Sequence, residues 1–243
     1  MAEMKNGKLQ LPNVSLAAMT SVNIRATVRA LEYSMRGIDF GEVVFISDHK
    51  PVFLPAGITY KHIDRLDNIN KFNYNMIYEL HKYVTKDFCL TVHADGFVVH
   101  PECWRDEFLD YDYIGSPWPV PKDDFTYRDI NGNLIRVGNS VGIRSMRLLK
   151  MPGELGLPFE EDHGFFNEDG FLCVKNRHIF LEHGIRYAPL ELAAKFGHEN
   201  MIPETEGVTP FMFHKWMGTN ADYPNFTNKT DYYYDKIRKK LGL

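Results

Sequence analysis

The chain has 243 residues, 44% of them hydrophobic and 14% aromatic, which is enough apolar material for the core of one large domain. Its formal net charge of −4 disfavours a general nucleic-acid-binding protein, and its three cysteines show no CxxC spacing, which argues against a disulfide framework and a structural zinc site. The sequence shows neither a hydrophobic signal region nor an apolar run of about 20 residues, so we expect a cytoplasmic protein.

The first part of the chain alternates strand and helix patterns. Residues 14–19 form an apolar run typical of a buried strand, and Thr20 or Ser21 can cap the helix that follows. Further strands are predicted at 42–47 and 58–63. Short connections between such units predict right-handed parallel crossovers and an α/β fold. The apolar face of the first helix is formed by Ile24, Val28, Leu31 and Met35.

A second helix and a second buried strand follow. Residues 70–84 have helical apolar periodicity, and residues 88–92 form a strand that ends at His93, followed by Asp95 and a glycine. The carboxyl ends of parallel strands meet at the edge of the sheet where open α/β domains bind ligands. We therefore expect the polar residues at these strand ends to lie together: Thr20, Ser47, Asp48, His93 and Asp95.

The second half of the chain has weaker patterns. Residues 112–116 are typical of another strand, and the polar stretch 117–136 indicates a long loop or hairpin. In 137–145 two glycines suit a backbone that approaches a ligand closely. Ser145 can cap a short helix, and a longer helix is predicted at 167–182.

Several side chains can carry chemistry, and each has a structural alternative. Asp95 can face a metal, a cation or a sugar hydroxyl, or it can cap its own turn. His214 can be a ligand or a hydrogen-bonded core histidine. Glu168 and Asp169 can provide a general base, or they can complement the dipole of their helix. Arg144 can hold a phosphate or pair with an acid.

In combination these pieces resemble a known family. In this order they look like the GT-A-fold nucleotide-sugar glycosyltransferases, and more closely like an uncharacterised bacterial and viral glycosyltransferase-like domain family. The resemblance covers about residues 14–216 and implies a GT-A, Rossmann-like mixed sheet flanked by helices in a single domain. It is carried by the βαβ start and by the segments 93–95, 112–118, 137–145, 167–171 and 210–216.

The resemblance implies roles for individual residues. GT-A enzymes hold Mg²⁺ or Mn²⁺ against the donor diphosphate with an Asp-x-Asp motif, of which only the last acid, Asp95, is present. His214 matches a C-terminal histidine that joins the metal, and the acid pair Glu168 and Asp169 matches the catalytic position, with Asp169 as the base. The expected donor contacts are Thr20, Ser47, Asp48, His93, Asp95 and Arg144, and the expected acceptor contacts are Asn139 and Trp118.

The implied activity is an inverting transfer of a sugar from a nucleotide-diphosphate donor to a hydroxyl of a glycan or lipid-linked glycan, in surface polysaccharide or glycan synthesis. The implied cofactor is a divalent cation, Mn²⁺ or Mg²⁺. Two other classes stay open: a metal-dependent hydrolase that uses His93, Asp95 and His214, and a non-catalytic glycan- or nucleotide-binding module.

The expected organisation is an N-terminal extension at 1–13, a glycosyltransferase-like domain at 14–219 and a basic, aromatic tail at 220–243. The tail predicts either a solvated helix end or a contact with anionic lipid at the membrane surface. The acidic stretch 160–162 is interpreted as a solvated loop.

Overall fold

The computed structural model describes residues 3–160, 167–230, 233, 237 and 240, which form a mixed sheet flanked by helices. The sheet strands are β1 (Met4–Lys5), β2 (Lys8–Met19), β3 (Ile38–Ser47), β4 (Thr59–His62), β5 (Phe88–Thr91), β6 (Tyr113–Pro117) and β7 (Val137–Ser145). A separate two-stranded pair is formed by β8 (Gly197–His198) and β9 (Met212–Phe213).

The order of the strands confirms the α/β class. They run β4-β3-β2-β5-β7-β6, with β1 antiparallel to β2. Strands β4, β3, β2 and β5 are parallel neighbours, β7 is antiparallel to β5, and β6 is antiparallel to β7. The carboxyl ends of β2, β3 and β5 and the amino end of β7 therefore share one edge of the sheet.

The helices are shorter and less regular than their sequence patterns predict. They are α1 (Ile24–Ser34), α2 (Ile69–Tyr74), α3 (Met146–Glu154), α4 (Glu168–Gly170), α5 (Arg177–Glu182) and α6 (Leu190–Phe196). π-helical turns at Asn75–Glu79 and Phe171–Lys175 extend α2 and α4. The helix predicted at 167–182 is thus three segments. Short 3-10 turns occur at Leu80–Lys82, Pro101–Cys103, Asp106–Asp110, Pro203–Thr205 and Gly218–Asn220.

Strand β2 begins earlier than predicted, at Lys8 rather than at residue 14. The pairing with β3 shifts register between Leu11 and Ser15, around Pro12. Proline has no N–H to donate to a ladder, so it is tolerated where the pairing is interrupted. This irregularity interrupts the apolar pattern of the sequence, which explains why only the second half of the strand was predicted.

The helix cap predicted at Thr20 or Ser21 is wrong. The N-cap of α1 is Asn23, in the left-handed conformation with φ 50°, and its side chain makes no capping hydrogen bond. Ser21 Oγ instead accepts from the N–H of Leu66 at 2.9 Å, and Thr20 Oγ1 accepts from the N–H of Val22 at 3.0 Å. These residues therefore fix the loop after β2 and join it to the chain before α2.

Both faces of the sheet are buried. In β2, Leu16 packs in the cluster under α1, whereas Ala17 packs in the cluster around α2. In β3, Phe45 packs in the cluster under α1 and Ile46 packs in the cluster around α2, as expected from the alternation of side chains along a strand. The predicted apolar face of α1 is confirmed, because Ile24, Val28 and Leu31 are buried and Met35 packs against the same cluster.

The glycines of β7 serve protein packing rather than a ligand. A Cβ on Gly138 would lie 2.0 Å from Trp118 Cη2, and a Cβ on Gly142 would lie 2.5 Å from the carbonyl oxygen of Ile114 in β6. Gly115 opposite Gly142 is equally crowded, with Gly138 O at 2.4 Å. We expected these glycines to let the backbone approach a ligand. In the structure they allow β6, β7 and the Trp118 ring to pack tightly together.

Within the residues that the structure describes, none of the helices combines the length and the apolar character needed to cross a lipid bilayer.

Gly138→Ala is expected to lower the free energy of unfolding by about 1–3 kcal/mol, because the added methyl overlaps the Trp118 ring. Urea denaturation followed by tryptophan fluorescence measures the change. Gly153→Ala in α3 is the matched control, since its methyl would meet no atom within 4 Å outside its own helix. Equal stability of the two variants would contradict the packing described for Trp118.

Candidate active site

The turn after β5 places His93 and Asp95 at the edge where the parallel strands end. The N–H of His93 donates to Gly96 O at 2.7 Å, and the N–H of Gly96 donates to His93 O at 3.2 Å. The carbonyl of Asp95 accepts from the N–H of Lys215 at 2.7 Å, which fastens this turn to the chain beyond β9. A Cβ on Gly96 would lie 2.8 Å from His214 Cδ2, so glycine is needed for His214 to approach.

Two side chains of this turn, together with His214 from the chain beyond β9, could hold a metal ion. One ligand atom from each of His93, Asp95 and His214 lies within 4.8 Å of the others. His214 Nε2 is 3.8 Å from Asp95 Oδ1, and the two imidazole rings meet edge to face at 5.8 Å between centroids. Two imidazoles and a carboxylate form a donor set that suits first-row transition ions, Mn²⁺ among them, better than Mg²⁺, which prefers oxygen ligands.

The state of His93 fits a metal ligand. Burial and the neighbouring His214 lower the pKa of His93 to about 4, against the opposing charge of Asp95. The imidazole is therefore neutral near pH 7, as a ligand must be. Its Nε2 is buried and has no hydrogen-bond partner among the described residues, and Phe72 packs against the ring. Coordination of a cation would satisfy this nitrogen.

A buried carboxylate that sequence reasoning missed, Glu199, lies behind His214. It is 7% exposed; its Oε1 lies 2.5 Å from Lys215 Nζ and 3.5 Å from His214 Nδ1, and its Oε2 accepts from Asn139 Nδ2 at 2.8 Å. Burial alone would raise the pKa of Glu199, but the contacts with His214 and Lys215 outweigh burial and lower it. Glu199 is therefore an ionised group enclosed by the site.

Beneath the site, Arg144 and Glu168 form a fully buried ion pair. Arg144 Nη2 lies 3.1 Å from Glu168 Oε1 and donates to Ser140 O at 3.2 Å, while Asn73 Oδ1 accepts from the N–H of Glu168. Both side chains have exposures of at most 1%, so neither the carboxylate nor the guanidinium is open to solvent. The sequence left two hypotheses for Arg144, a phosphate contact or a pair with an acid. Its position in the structure fits the pair with an acid.

Asp169 is the half-buried neighbour of that ion pair. Burial and the charge of Glu168 raise the pKa of Asp169 to about 7, although the N–H of Gly170 and the charge of Arg144 act in the opposite direction. The Gly170 N–H donates to Asp169 Oδ1 at 2.8 Å. A carboxyl group with a pKa near neutrality in a functional cleft has the properties of a general acid or base.

Lys215 connects the two acidic centres. Burial alone would lower its pKa, but the hydrogen bond to Glu199 and the charges of Glu199, Asp95 and Asp169 raise it. Tyr127 belongs to the same group, since burial and the charges of Glu199 and Asp169 raise its pKa. The charges of Asp95 and Asp169 thus contribute to the raised pKa of Lys215, after the larger effects of Glu199.

A cavity of about 370 Å³ opens beside Asp95, between the end of β2, the start of α1 and the start of α2. Its wall includes Thr20, Asn68, Phe72 and His93. This volume is in the range of small-molecule sites. The structure therefore brings three of the predicted donor residues, Thr20, His93 and Asp95, to one cavity.

The other predicted donor residues lie apart from this cavity. Ser47 is buried at the end of β3, where its carbonyl accepts from Tyr60 OH at 2.9 Å. Asp48 is half-buried beside it and raises the pKa of Tyr60, after the larger effect of burial. Neither Ser47 nor Asp48 is among the described residues that line the cavity.

The two predicted acceptor residues lie under the surface of the site. Trp118 is 4% exposed and stacks on Tyr127, with ring centroids 4.4 Å apart and planes at 9°. Asn139 is 2% exposed; besides its bond to Glu199, its Oδ1 accepts from the N–H of Val141 at 3.1 Å. An acceptor could touch Trp118 only after Tyr127 moved, so Tyr127 is the more accessible aromatic side chain here.

Backbone strain is concentrated around the site. A left-handed φ at a residue other than glycine costs of the order of 1–3 kcal/mol, and such residues cluster at functional sites, where the surrounding structure holds the strained backbone in place. Asn23 lines the cavity, and Tyr127, Asn139 and Lys215 surround Glu199. The described non-glycine residues with positive φ are Asn6 (52°), Asn23 (50°), Tyr127 (56°), Asn139 (125°) and Lys215 (66°).

Some sequence predictions concern residues outside the described ranges. These are Glu161 and Asp162 of the acidic stretch, and Lys236, Arg238 and Lys239 of the basic tail. Of the same segments, Glu160 is described and pairs with Lys175, and Lys240 is exposed.

The raised pKa of Asp169 predicts a dependence of stability on pH. Between the ordinary value of 3.8 and about 7, the native state binds more protons at this residue than the unfolded state does. The contribution of Asp169 to the free energy of unfolding therefore falls as the pH rises through this window. Asp169→Asn is expected to remove this fall, as measured by urea denaturation at several pH values.

Asp39→Asn is the control for this prediction. Asp39 is an exposed residue at the opposite end of the sheet, and its hydrogen bonds with Gln10 and Lys8 lower its pKa. This variant should retain the fall between pH 3.8 and about 7. A stability difference between the wild type and Asp169→Asn that does not change with pH would contradict the prediction.

Comparisons with known proteins identify the family but not an activity. The family described as "Protein of unknown function (DUF5672)" matches residues 58–214, and no curated protein matches the chain. An active-site mutant of LgtC is similar in structure, with 11% identity and a TM-score of 0.49 over 93% of this chain and 95% of that one. The apo-form glycosyltransferase GlyE of Streptococcus pneumoniae TIGR4 has 11% identity and a TM-score of 0.45 over 94% of this chain and 61% of that one.

Similarity to solved structures at this level carries no argument about activity. The family match, in contrast, spans well over half of the sequence. The chain therefore belongs to the DUF5672 family of proteins of unknown function.

Proposed function

We propose that the protein transfers a glycosyl group from a nucleoside-diphosphate sugar to a hydroxyl group of a glycan or lipid-linked glycan, with inversion. The observation that carries the proposal is geometric: one centre is the cluster of His93, Asp95 and His214, whose ligand atoms lie within 4.8 Å of one another beside a cavity of about 370 Å³. The second centre is Asp169, whose charge, like that of Asp95, contributes to raising the pKa of Lys215. A donor held at the first centre would present its sugar to a base at the second.

The donor is assigned to the cavity beside Asp95. Its volume of about 370 Å³ and its mixed apolar and polar wall suit a nucleoside, with Phe72 and Thr20 at the wall and the diphosphate directed towards Asp95. His93, Asp95 and His214 would hold a divalent cation, and the two imidazoles favour Mn²⁺ over Mg²⁺. When bound, the cation would neutralise charge on the diphosphate leaving group.

Asp169 is assigned as the base. Its ionised carboxylate would accept the proton of the acceptor hydroxyl while the oxygen attacks the anomeric carbon. The bond between that carbon and the diphosphate oxygen breaks, and its electron pair leaves with the diphosphate. Lys215 would stabilise negative charge in the site, and Glu168, paired with Arg144, would act by fixing Asp169 and raising its pKa rather than by touching substrate.

The acceptor is assigned to the aromatic side chains beside Glu199. Tyr127 would meet the acceptor first, with Trp118 and Asn139 supporting it from below. We assign the transferase domain to residues 14–219, to which β1 and the first half of β2 also belong because they pair in the same sheet. We assign a peripheral membrane contact to the basic tail within 220–243. Such a contact would bring the site to a lipid-linked acceptor.

A metal-dependent hydrolase is the second candidate function. It is favoured by the convergence of His93, Asp95 and His214, the three residues such an enzyme would use. The two functions differ in their dependence on an acceptor. Fast release of free sugar or phosphate without any acceptor would favour the hydrolase, whereas a product that appears only with an acceptor favours the transferase.

Asp169→Asn is expected to lower transfer by about 10²–10⁴-fold, because the amide cannot accept the proton of the acceptor. Its donor affinity should be unchanged, since Asp169 does not line the donor cavity. The assay follows nucleoside diphosphate released from UDP- and GDP-sugars with Mn²⁺ and a panel of glycans. In the wild type the rate should rise with pH through about 7, the pKa of Asp169.

The control for the transfer assay is Asp39→Asn, which changes an exposed carboxylate at the other end of the sheet. It should retain the wild-type rate and pH profile. Full turnover by Asp169→Asn would refute the base assignment, and binding of every donor without turnover by the wild type would indicate a non-catalytic module.

A further inference from the structure

Glu199 is a buried carboxylate held by several polar contacts. Its side chain has its two oxygens on different partners, Lys215 Nζ on one and Asn139 Nδ2 on the other. Its neighbour His198 accepts, through its backbone carbonyl, a hydrogen bond from the N–H of His214 at 2.8 Å. The strand pair β8–β9 thus holds Glu199 and His214 side by side through both backbone and side chain.

The His214 ring lies between two carboxylates. Its Nδ1 is buried, lies 3.5 Å from Glu199 Oε1 and makes no hydrogen bond with any described residue, and its Nε2 is 3.8 Å from Asp95 Oδ1. In a neutral imidazole one nitrogen carries the proton and the other carries the lone pair. Glu199 is the nearer of the two carboxylates, so it favours the proton on Nδ1 and leaves the lone pair on Nε2, the nitrogen that faces Asp95.

We propose that Glu199 is a positioning residue that selects the tautomer and orientation of His214 for binding a divalent cation together with His93 and Asp95. The proposal rests on the metal site assigned under the proposed function. Asn139 and Lys215 would serve the same end by holding the carboxylate in place, which gives a reason for their left-handed φ values of 125° and 66°. Glu199 itself would touch neither cation nor substrate.

The test compares Mn²⁺ affinity in the wild type and in Glu199→Gln, measured by electron paramagnetic resonance on the full chain without any donor. Glutamine keeps the size of the side chain but removes the charge that favours a proton on Nδ1. The loss of such an outer carboxylate is expected to weaken Mn²⁺ binding by about 10–100-fold. Thermal denaturation of the same samples reports the structural effect separately.

Glu42→Gln is the matched control. Glu42 is also partly buried, and it accepts from Ser15 Oγ at 2.6 Å and from the N–H of Thr85. It lies in the amino-terminal half of β3, away from the sheet edge where the site lies. This variant should lose stability without any change in Mn²⁺ affinity. In the wild type free of metal, ¹⁵N NMR of His214 should show the proton on Nδ1, which tests the proposal even if Glu199→Gln does not fold.

The outcomes separate this proposal from the proposed function. Weaker Mn²⁺ binding in Glu199→Gln alone, with the proton of wild-type His214 on Nδ1, supports it. Unchanged Mn²⁺ affinity in Glu199→Gln, a proton on Nε2 in the wild type, or no binding of Mn²⁺ by the wild type at millimolar concentration each overturns it. Glycosyl transfer that persists in those cases would leave the proposed function standing without a metal.

Discussion

The position of the candidate base depends on the buried ion pair between Arg144 and Glu168. This pair joins β7 to the first residue of α4, and α4 has only three residues of its own before the π-helical turn. So short a helix has little intrinsic stability, and its start is held by tertiary contacts. Taking two charges out of water is expensive, and the loss of one partner of such a pair typically costs about 3–5 kcal/mol. The same pair sets the charge around Asp169.

The other half of the site depends on a return of the chain to the sheet edge. After α6, the two-residue strands β8 and β9 bring Glu199, His214 and Lys215 against the turn that carries Asp95. The closest backbone contact is the hydrogen bond from Lys215 to Asp95, and the crowded Gly96 leaves room for His214. Lys215 pairs with Glu199 in this half, and the charges of Asp95 and Asp169 also raise its pKa.

The elements with strong periodicity could be predicted from the sequence. The apolar face of α1 and the buried strands β3 and β5 follow from alternation and helical spacing, and parallel pairing then places Thr20 and Asp95 on one edge. The π-helical turn after α4 could not be predicted, because its residues are as apolar as those of an ordinary helix. Likewise, nothing local distinguishes a glycine that admits a tryptophan ring, such as Gly138, from one that admits a ligand.

Glu199 shows why the candidate site was only partly predictable. It follows a strand of two residues, which is too short for any period, and its partners Asn139 and Lys215 are distant in sequence. Its significance comes entirely from burial and from partners that tertiary structure supplies. Arg144 shows the converse, since a polar residue in an apolar strand suggests a ligand contact until its buried partner is seen.

The most direct test of the account is crystallographic. Crystals grown with Mn²⁺ and UDP would locate the metal by its anomalous scattering and the diphosphate by its density. We expect a manganese peak bounded by His93, Asp95 and His214, with the outer phosphate and Asp169 facing the same open space. A metal bound elsewhere, or packed side chains separating the diphosphate from Asp169, would contradict it.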